Sequence, residues 1–347
     1  MLATKGYAAR DATGPLAPFD FERRDLRPDD VLVEIMYCGV CHSDIHQVRN
    51  EWDNAVYPMV PGHEIVGRVK KTGKNASRYK EGDLVGVGVM VDSCGKCDNC
   101  KRGLENCCSE RTVLTYNSYE MDGKSVTYGG YSNQIVVSER FVFRVSEKLP
   151  TSGVAPLLCA GITTYSPLRR WKVGKGHKVG VLGLGGLGHM AVKFAASFGA
   201  EVTMLSRSAS KEADARKLGA HNFVLTTDSK QAAKLKSHFD FIVDTVSAKH
   251  DYNASLAMLN VYGVLINVGI PPEGIHIDAH NLIAGDRAVS GSMIGGLPET
   301  QEMLDYCAQK GIVSEVEVIP MNKINEAYER TLKGDVRYRF VIDMKTL

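Results

Sequence analysis

The chain has 347 residues, 44% of them hydrophobic, which is enough for packed cores in about two domains. Its 42 Lys and Arg nearly balance 40 Asp and Glu, and a net charge of +2 creates no field that would draw a polyanion, so nucleic acid is not an expected partner. No run approaches about 18 consecutive apolar residues, and the N-terminus MLATKGYAARDATG lacks the basic start and apolar core of a signal peptide, so the expectation is a cytoplasmic protein with no membrane association.

Residues 1 to about 150 are rich in Gly, Pro and short β-branched runs. Val31–Ile35, Ile65–Val69 and Leu84–Val89 predict strands of a mainly β domain with irregular loops. Three residues sit in glycine-punctuated loops: Cys41 in GVCHSD, His63 in PGHE and, further on, Cys159 in LCAG. Singly, each reads as a core cysteine or a satisfied histidine. Together they supply Cys2His, a zinc-ligand set that leaves a fourth position open.

Residues 94 to 108 read CGKCDNCKRGLENCC, and the nine cysteines of the chain are an odd number without an export signal. A disulfide framework fits poorly, whereas C-x2-C-x2-C followed by a fourth Cys can close a zinc tetrahedron. A redox role would need one sulfur left free and reactive. Spacing alone leaves Cys107 and Cys108 equivalent as the fourth ligand. Cys38 and Cys307 are most simply core residues.

After Lys178 the pattern changes. Lys178–Leu182, Glu201–Leu205, Asn222–Thr226, Phe239–Val243, Gly263–Val268 and Ala288–Ser292 are apolar runs spaced for intervening helices, which predicts a six-stranded, doubly wound parallel sheet. Leu187, Met190, Ala191, Phe194, Ala195 and Phe198 recur at helical spacing after the first strand. Gly183, Gly185 and Gly188 fit G-x-G-x-x-G between that strand and that helix, the context in which such a loop, with Gly186 and Leu187, receives a pyrophosphate at the helix start. Where an NAD site would place a carboxylate, the second strand instead ends in Ser206-Arg207-Ser208. Hydroxyls and a guanidinium can receive a 2′-phosphate, so the pattern favours NADP. Lys211 either assists or is a solvated helix lysine. Near the end, Tyr338–Asp343 predicts a closing strand that rejoins the first domain.

These motifs carry a family resemblance over nearly the whole chain. GVCHSDIHQ (39–47), YPMVPGHEIVG (57–67), the cysteine cluster, APLLCAGITTYSPL (155–168), VGVLGLGGLGHM (179–190), GSMIGG (291–296) and INEAYERTLKGDVRYRFVID (324–343) occur in the family's order. The chain resembles a zinc-dependent medium-chain alcohol dehydrogenase, closest to the cinnamyl alcohol dehydrogenase-like branch and its bacterial broad-specificity, NADPH-dependent aldehyde reductases. The resemblance implies an α/β chain: a GroES-like, mainly β catalytic domain over 1–155, completed by 296–347, and an NADP-binding Rossmann domain over 156–295, with substrate entering between them and the domains closing on cofactor.

It further implies two zinc ions per chain. Cys41, His63 and Cys159 would hold the catalytic one, with Glu64 as a transient fourth ligand and Asp44 fixing the tautomer of His63. Cys94, Cys97, Cys100 and Cys108 would hold the structural one, the family's gap selecting Cys108 and leaving Cys107 spare. Ser43 would pass a proton between the reacting oxygen and the nicotinamide ribose, and His46 would exchange it with solvent. His42 would face the cofactor phosphates, Thr163 would contact the cofactor, and Ser292, Met293 and Ile294 would lie beside the nicotinamide. Trp52, Tyr57 and Met90 would line an apolar substrate pocket, or are merely core.

The implied activity is hydride transfer between NADP(H) and aldehydes or primary alcohols, mainly aldehyde reduction, by a homodimer joined through edge strands of the cofactor domains. Two alternatives remain at this stage: an NAD-dependent alcohol dehydrogenase, and a non-catalytic cofactor-binding protein on the same fold. The open Cys2His set speaks against the second.

Overall fold

The computed structural model describes residues 1–347, which divide into two compact units, Met1–Ile162 with Gly295–Leu347, and Thr163–Ile294. The first unit therefore runs past the expected switch at residue 155, and Cys159 falls within it.

In the first unit, β1 (Leu2–Ala8) and β2 (Ala17–Arg23) form a hairpin. The central strand β3 (Asp30–Gly39) pairs with β4 (Ile65–Thr72), which follows the short helix α1 (His42–Val48) and a long loop. β5 (Leu84–Val87) stops two residues short of the predicted Val89, because Val89 turns to accept the Thr115 N–H while Gly88 accepts the Thr115 hydroxyl. β6 (Met90–Ser93) then pairs with β7 (Thr112–Leu114), and the cysteine lobe with its one-turn helix α2 (Asp98–Lys101) lies between them. β8 (Gln134–Ser138) adds to β3, and β9 (Val142–Arg144) adds to β5. Val31, Val33, Ile65, Val66, Val85 and Val87 of these strands are buried and β-branched, as a pleated core favours. A one-turn helix α3 (Thr151–Val154) leads to α4 (Ala160–Arg170), along which the chain passes from one unit to the other.

The second unit is the predicted parallel sheet. β10 (Lys178–Leu182), α5 (Gly188–Ser197), β11 (Glu201–Ser206), α6 (Glu212–Lys217), β12 (Asn222–Leu225), α7 (Ser229–Ala233), β13 (Phe239–Asp244), α8 (Tyr252–Met258), β14 (Leu259–Asn267), α9 (Ala279–Ile283) and β15 (Ala288–Gly291) alternate along the chain. The strand order is β12-β11-β10-β13-β14-β15, the order of a dinucleotide-binding doubly wound sheet, with its switch point between β10 and β13. β14 begins at Leu259 rather than at Gly263, because its exposed first turn, Asn260-Val261-Tyr262, hides the apolar pattern and holds Tyr262 at a φ of 62°. Leu205, Phe239, Ile242, Leu256, Leu259 and Leu265 form a buried core of this unit. On α5, Met190, Ala191, Phe194 and Ala195 are fully buried, so its apolar stripe faces inward.

The tail returns to the first unit through α10 (Leu297–Lys310), β16 (Val316–Pro320), α11 (Ile324–Leu332) and β17 (Arg339–Asp343). β17 lies antiparallel to β3 and parallel to β16, which closes the seven-stranded sheet. No helix is long and apolar enough to cross a membrane.

Candidate active site

The first site forms around the N-terminus of α1, where Cys41 occupies the position before the first helical residue. The ligand atoms of Cys41, His63, Glu64 and Cys159 all lie within 4.8 Å of one another, and all four residues are buried. The Sγ atoms of Cys41 and Cys159 are 3.8 Å apart. A zinc tetrahedron with Zn–S bonds of about 2.3 Å has S–S edges of about 3.8 Å, so the two sulfurs stand at the spacing one ion would impose.

Asp44 orients this set. Its fully buried carboxylate accepts the Cys41 N–H at 2.8 Å and the Gly62 N–H at 3.2 Å, and it also accepts the Tyr131 hydroxyl at 3.2 Å. His63 Nδ1 stands 3.2 Å from the same carboxylate, which leaves the other ring nitrogen for a metal. Burial opposes a charge on His63, but Asp44 and the Cys41 sulfur outweigh it and push its pKa well up.

Glu64 has no hydrogen-bond partner for either carboxylate oxygen, although Arg339 Nη1 is 3.3 Å from Oε1. Burial pushes the Glu64 carboxyl up to about 7 against the pull of Arg339. An unsatisfied buried carboxylate beside two cysteines and a histidine suits a cation, so donor types and spacing both fit zinc. Arg339, Tyr131 and Tyr116, which stacks on the His63 ring at 5.7 Å, were not singled out in the sequence. The available signal was faint: Arg339 is an arginine opening a strand whose next three residues, Phe340, Val341 and Ile342, are apolar.

The side chains around this set are more solvated. Ser43 Oγ lies 3.6 Å from Cys41 Sγ. His46 Nδ1 contacts Glu51, and the His46 ring packs at a tilt against Trp52 at 5.2 Å and against His42 at 4.9 Å. The His42 residue is exposed. Tyr57 is half-buried and gives its hydroxyl to Val48 O at 2.6 Å, and Met90 is buried.

The second cluster joins Cys94, Cys97, Cys100 and Cys108, with ligand atoms again within 4.8 Å. Cys94 and Cys100 are 3.9 Å apart at sulfur, as are Cys97 and Cys108, close to the tetrahedral edge. Cys107 is exposed and outside the set; its carbonyl accepts from Asn99. The Cys97 N–H faces Cys94 Sγ at 3.3 Å, and the Cys100 N–H faces Cys97 Sγ at 3.5 Å. Hydrogen bonds from Ser109, then from the Cys100 N–H, draw the Cys97 thiol down to about 5, in the thiolate range a metal needs.

In the second unit the glycine loop has the three local properties a dinucleotide needs. Gly183 sits at a φ of +90°, a conformation that favours glycine. A Cβ on Gly188 would lie 1.9 Å from Gly183 O, so helix and loop close only without a side chain. A Cβ on Gly185 would meet nothing within 4 Å, leaving open space for a pyrophosphate. Gly186 and Leu187 complete the turn into α5.

Arg207 and Ser208 are exposed after β11, while Ser206 is buried and its Oγ accepts the Ser208 N–H at 3.1 Å. Lys211 Nζ donates to Leu184 O at 2.8 Å, which ties this segment to the glycine loop. Thr163 is buried at the start of the unit; Ser292 donates its N–H to Asn267 O at 3.2 Å, Met293 is exposed and Ile294 has a φ of 40°.

The comparisons with known proteins agree with these features. Residues 27–147 match the model of the alcohol dehydrogenase GroES-like domain, and residues 186–309 match that of the zinc-binding dehydrogenases. The chain is 54% identical over 351 residues to the aldehyde reductase YahK of Escherichia coli, covering 100% of this chain and 99% of that protein. It is 51% identical over 348 residues to NADP-dependent alcohol dehydrogenase C 1 of Mycolicibacterium smegmatis, again covering 100% and 99%. Among solved structures, the cinnamyl alcohol dehydrogenase of Helicobacter pylori complexed with NADP(H) superposes with a TM-score of 0.94 at 43% identity, covering 99% of each chain. With relatives of this identity spanning its full length, the chain belongs to the zinc-binding alcohol dehydrogenases that carry a GroES-like domain.

Proposed function

We propose that this protein is a zinc- and NADP(H)-dependent oxidoreductase that interconverts aldehydes and primary alcohols, chiefly reducing aromatic and aliphatic aldehydes. The observation that carries the reading is the convergence of Cys41, His63 and Cys159 beside an unsatisfied Glu64, in a chain that also holds an open glycine loop followed by Ser206-Arg207-Ser208. When bound, zinc polarises the substrate carbonyl and NADPH supplies the hydride. Cys41, His63 and Cys159 hold the metal, with Glu64 able to approach it as Arg339 balances its charge. Asp44 keeps His63 in the tautomer that presents a free nitrogen. The Ser43 hydroxyl passes a proton toward the reacting oxygen, and His46, whose side chain keeps 20% exposure, exchanges it with solvent.

Cys94, Cys97, Cys100 and Cys108 hold the structural zinc and leave no position for substrate. Gly183 to Gly188 receive the pyrophosphate, Arg207 with Ser206 and Ser208 the 2′-phosphate, and Thr163 with Ser292, Met293 and Ile294 the nicotinamide side. Lys211 steadies the glycine loop through Leu184. Trp52, Tyr57 and Met90 form an apolar wall that favours aldehydes over polyols. The unit carrying both zinc sites is Met1–Ile162 with Gly295–Leu347, and the cofactor is bound by Thr163–Ile294.

A homodimer is the proposed assembly. It is supported by the unpaired outer edge of β15 and by exposed Val261, Tyr262 and Ile283 in the same unit. Nine cysteines that form no disulfide suit a reducing, cytoplasmic setting. The test follows NADPH and NADH oxidation with cinnamaldehyde, benzaldehyde, a medium-chain aliphatic aldehyde and a sugar. NADPH-dependent turnover of the first three is expected; no turnover of any aldehyde with either cofactor would overturn the reading.

A further inference from the structure

His250 belongs to none of the motifs, yet it makes a close contact with a fully buried acid. Its Nε2 lies 2.6 Å from Oδ2 of Asp244, the last residue of β13, whose side chain is 0% exposed. Its Nδ1 lies 2.8 Å from Ala248 O, so both ring nitrogens address oxygen acceptors. Burial raises the Asp244 carboxyl, with the Val246 N–H and His250 pulling the other way.

The pair is part of a closed circuit. The His250 ring packs at a tilt against Tyr252, with centroids 4.3 Å apart, and the Tyr252 hydroxyl donates to Asn267 Oδ1 at 3.1 Å. Asn267 Nδ2 donates to Gly269 O at 2.9 Å, and the Gly269 N–H returns to Asp244 O at 3.2 Å. The Val268 N–H reaches the same carbonyl at 2.9 Å. The strand-end loops touch so closely that a Cβ on Gly269 would lie 2.4 Å from Val246 O.

Both ends of the circuit meet the cofactor loops. Asp244 Oδ1 accepts the Val246 N–H at 3.0 Å, turning the chain so that Thr245 Oγ1 reaches Leu182 O at 2.8 Å and Gly183 O at 3.1 Å. On the other side, Asn267 O receives the Ser292 N–H. In a doubly wound sheet the dinucleotide lies across the carboxyl ends of these strands. We infer that Asp244 and His250 form a positioning pair for NADP(H), which holds the loops after β10, β13 and β14 in one register through Tyr252 and Asn267. This rests on the proposal that the unit Thr163–Ile294 binds NADP(H).

The experiment titrates NADPH into the full-length, zinc-loaded protein by fluorescence, with melting temperature and steady-state constants measured in parallel. Loss of a charge-assisted hydrogen bond should raise the Kd for NADPH about tenfold in His250→Ala, with KM for NADPH moving more than kcat. His250→Gln keeps a side-chain N–H for Asp244 and should recover most of the affinity. Tyr252→Phe loses only a hydroxyl and should weaken binding about threefold. Wild-type affinity in His250→Ala with a lowered melting temperature would overturn the inference, as would wild-type affinity in both milder variants should His250→Ala not fold. Absence of NADPH binding by the wild type would instead overturn the cofactor assignment itself.

Discussion

Arg207 stands exposed where β11 ends, with no carboxylate in Ser206-Arg207-Ser208 to repel a phosphate. Because Ser206 Oγ already accepts the Ser208 N–H, the guanidinium is the one charged group of this trio that can meet a dianion. Removing it should cost the 2′-phosphate one or two charge-assisted hydrogen bonds, about 1.5–3 kcal/mol each, while leaving the rest of the dinucleotide site in place. Arg207→Ala is therefore expected to lower the ratio of kcat/KM with NADPH to that with NADH by at least about tenfold. An unchanged ratio would count against the assignment. Arg207 drew notice because an expected carboxylate was missing at a known offset. Arg339 and Tyr131 did not, since a polar residue that will be buried against a partner far along the chain looks like a surface residue.

The turn from β10 into α5 separates two uses of glycine. Gly188 lets the helix close on the strand, and a methyl there would strike Gly183 O. Gly185 faces open space, so a methyl there disturbs nothing in the chain itself. Gly188→Ala should destabilise the protein by about 3 kcal/mol through forced backbone movement. Gly185→Ala should change stability by less than about 0.5 kcal/mol, yet weaken NADPH binding by obstructing the pyrophosphate. Thermal melts and NADPH titrations on both variants check this. Equal melting losses would show that Gly185 is a packing glycine. This element was readable in advance because all its determinants lie within one strand, loop and helix. β14 was read four residues short because its first turn is exposed and breaks the apolar run. The register that brings Asn267 beside Ser292 has no local signature at all.

At the scale of the whole chain, the two cysteine sites differ in how far apart their ligands lie. Cys94 to Cys108 is one loop, whereas Cys41, His63 and Cys159 come together only when α1, the loop before β4 and the segment before α4 are all in place. The loop could be recognised from spacing. The scattered set became convincing only through the family's motifs, because nothing in a single cysteine or histidine declares its distant partners. The same difference governs how each site fails. Loop-closure cost grows slowly with length, and four thiolates in a short segment can retain zinc with about 10–16 kcal/mol of apparent binding energy even in peptides. The scattered site has no such local reserve and should open with the global transition. In a urea titration followed by circular dichroism and a chromophoric zinc indicator, one equivalent of zinc should appear together with the loss of structure, and the second only on adding a thiol reagent or acid. Cys108→Ser should start with one equivalent and lose it in that same transition, whereas Cys107→Ser should behave as the wild type. Release of both ions before the structural transition would show that neither site depends on the fold as described. Release of both within it would show that the short lobe draws its affinity from the surrounding domain rather than from its four sulfurs.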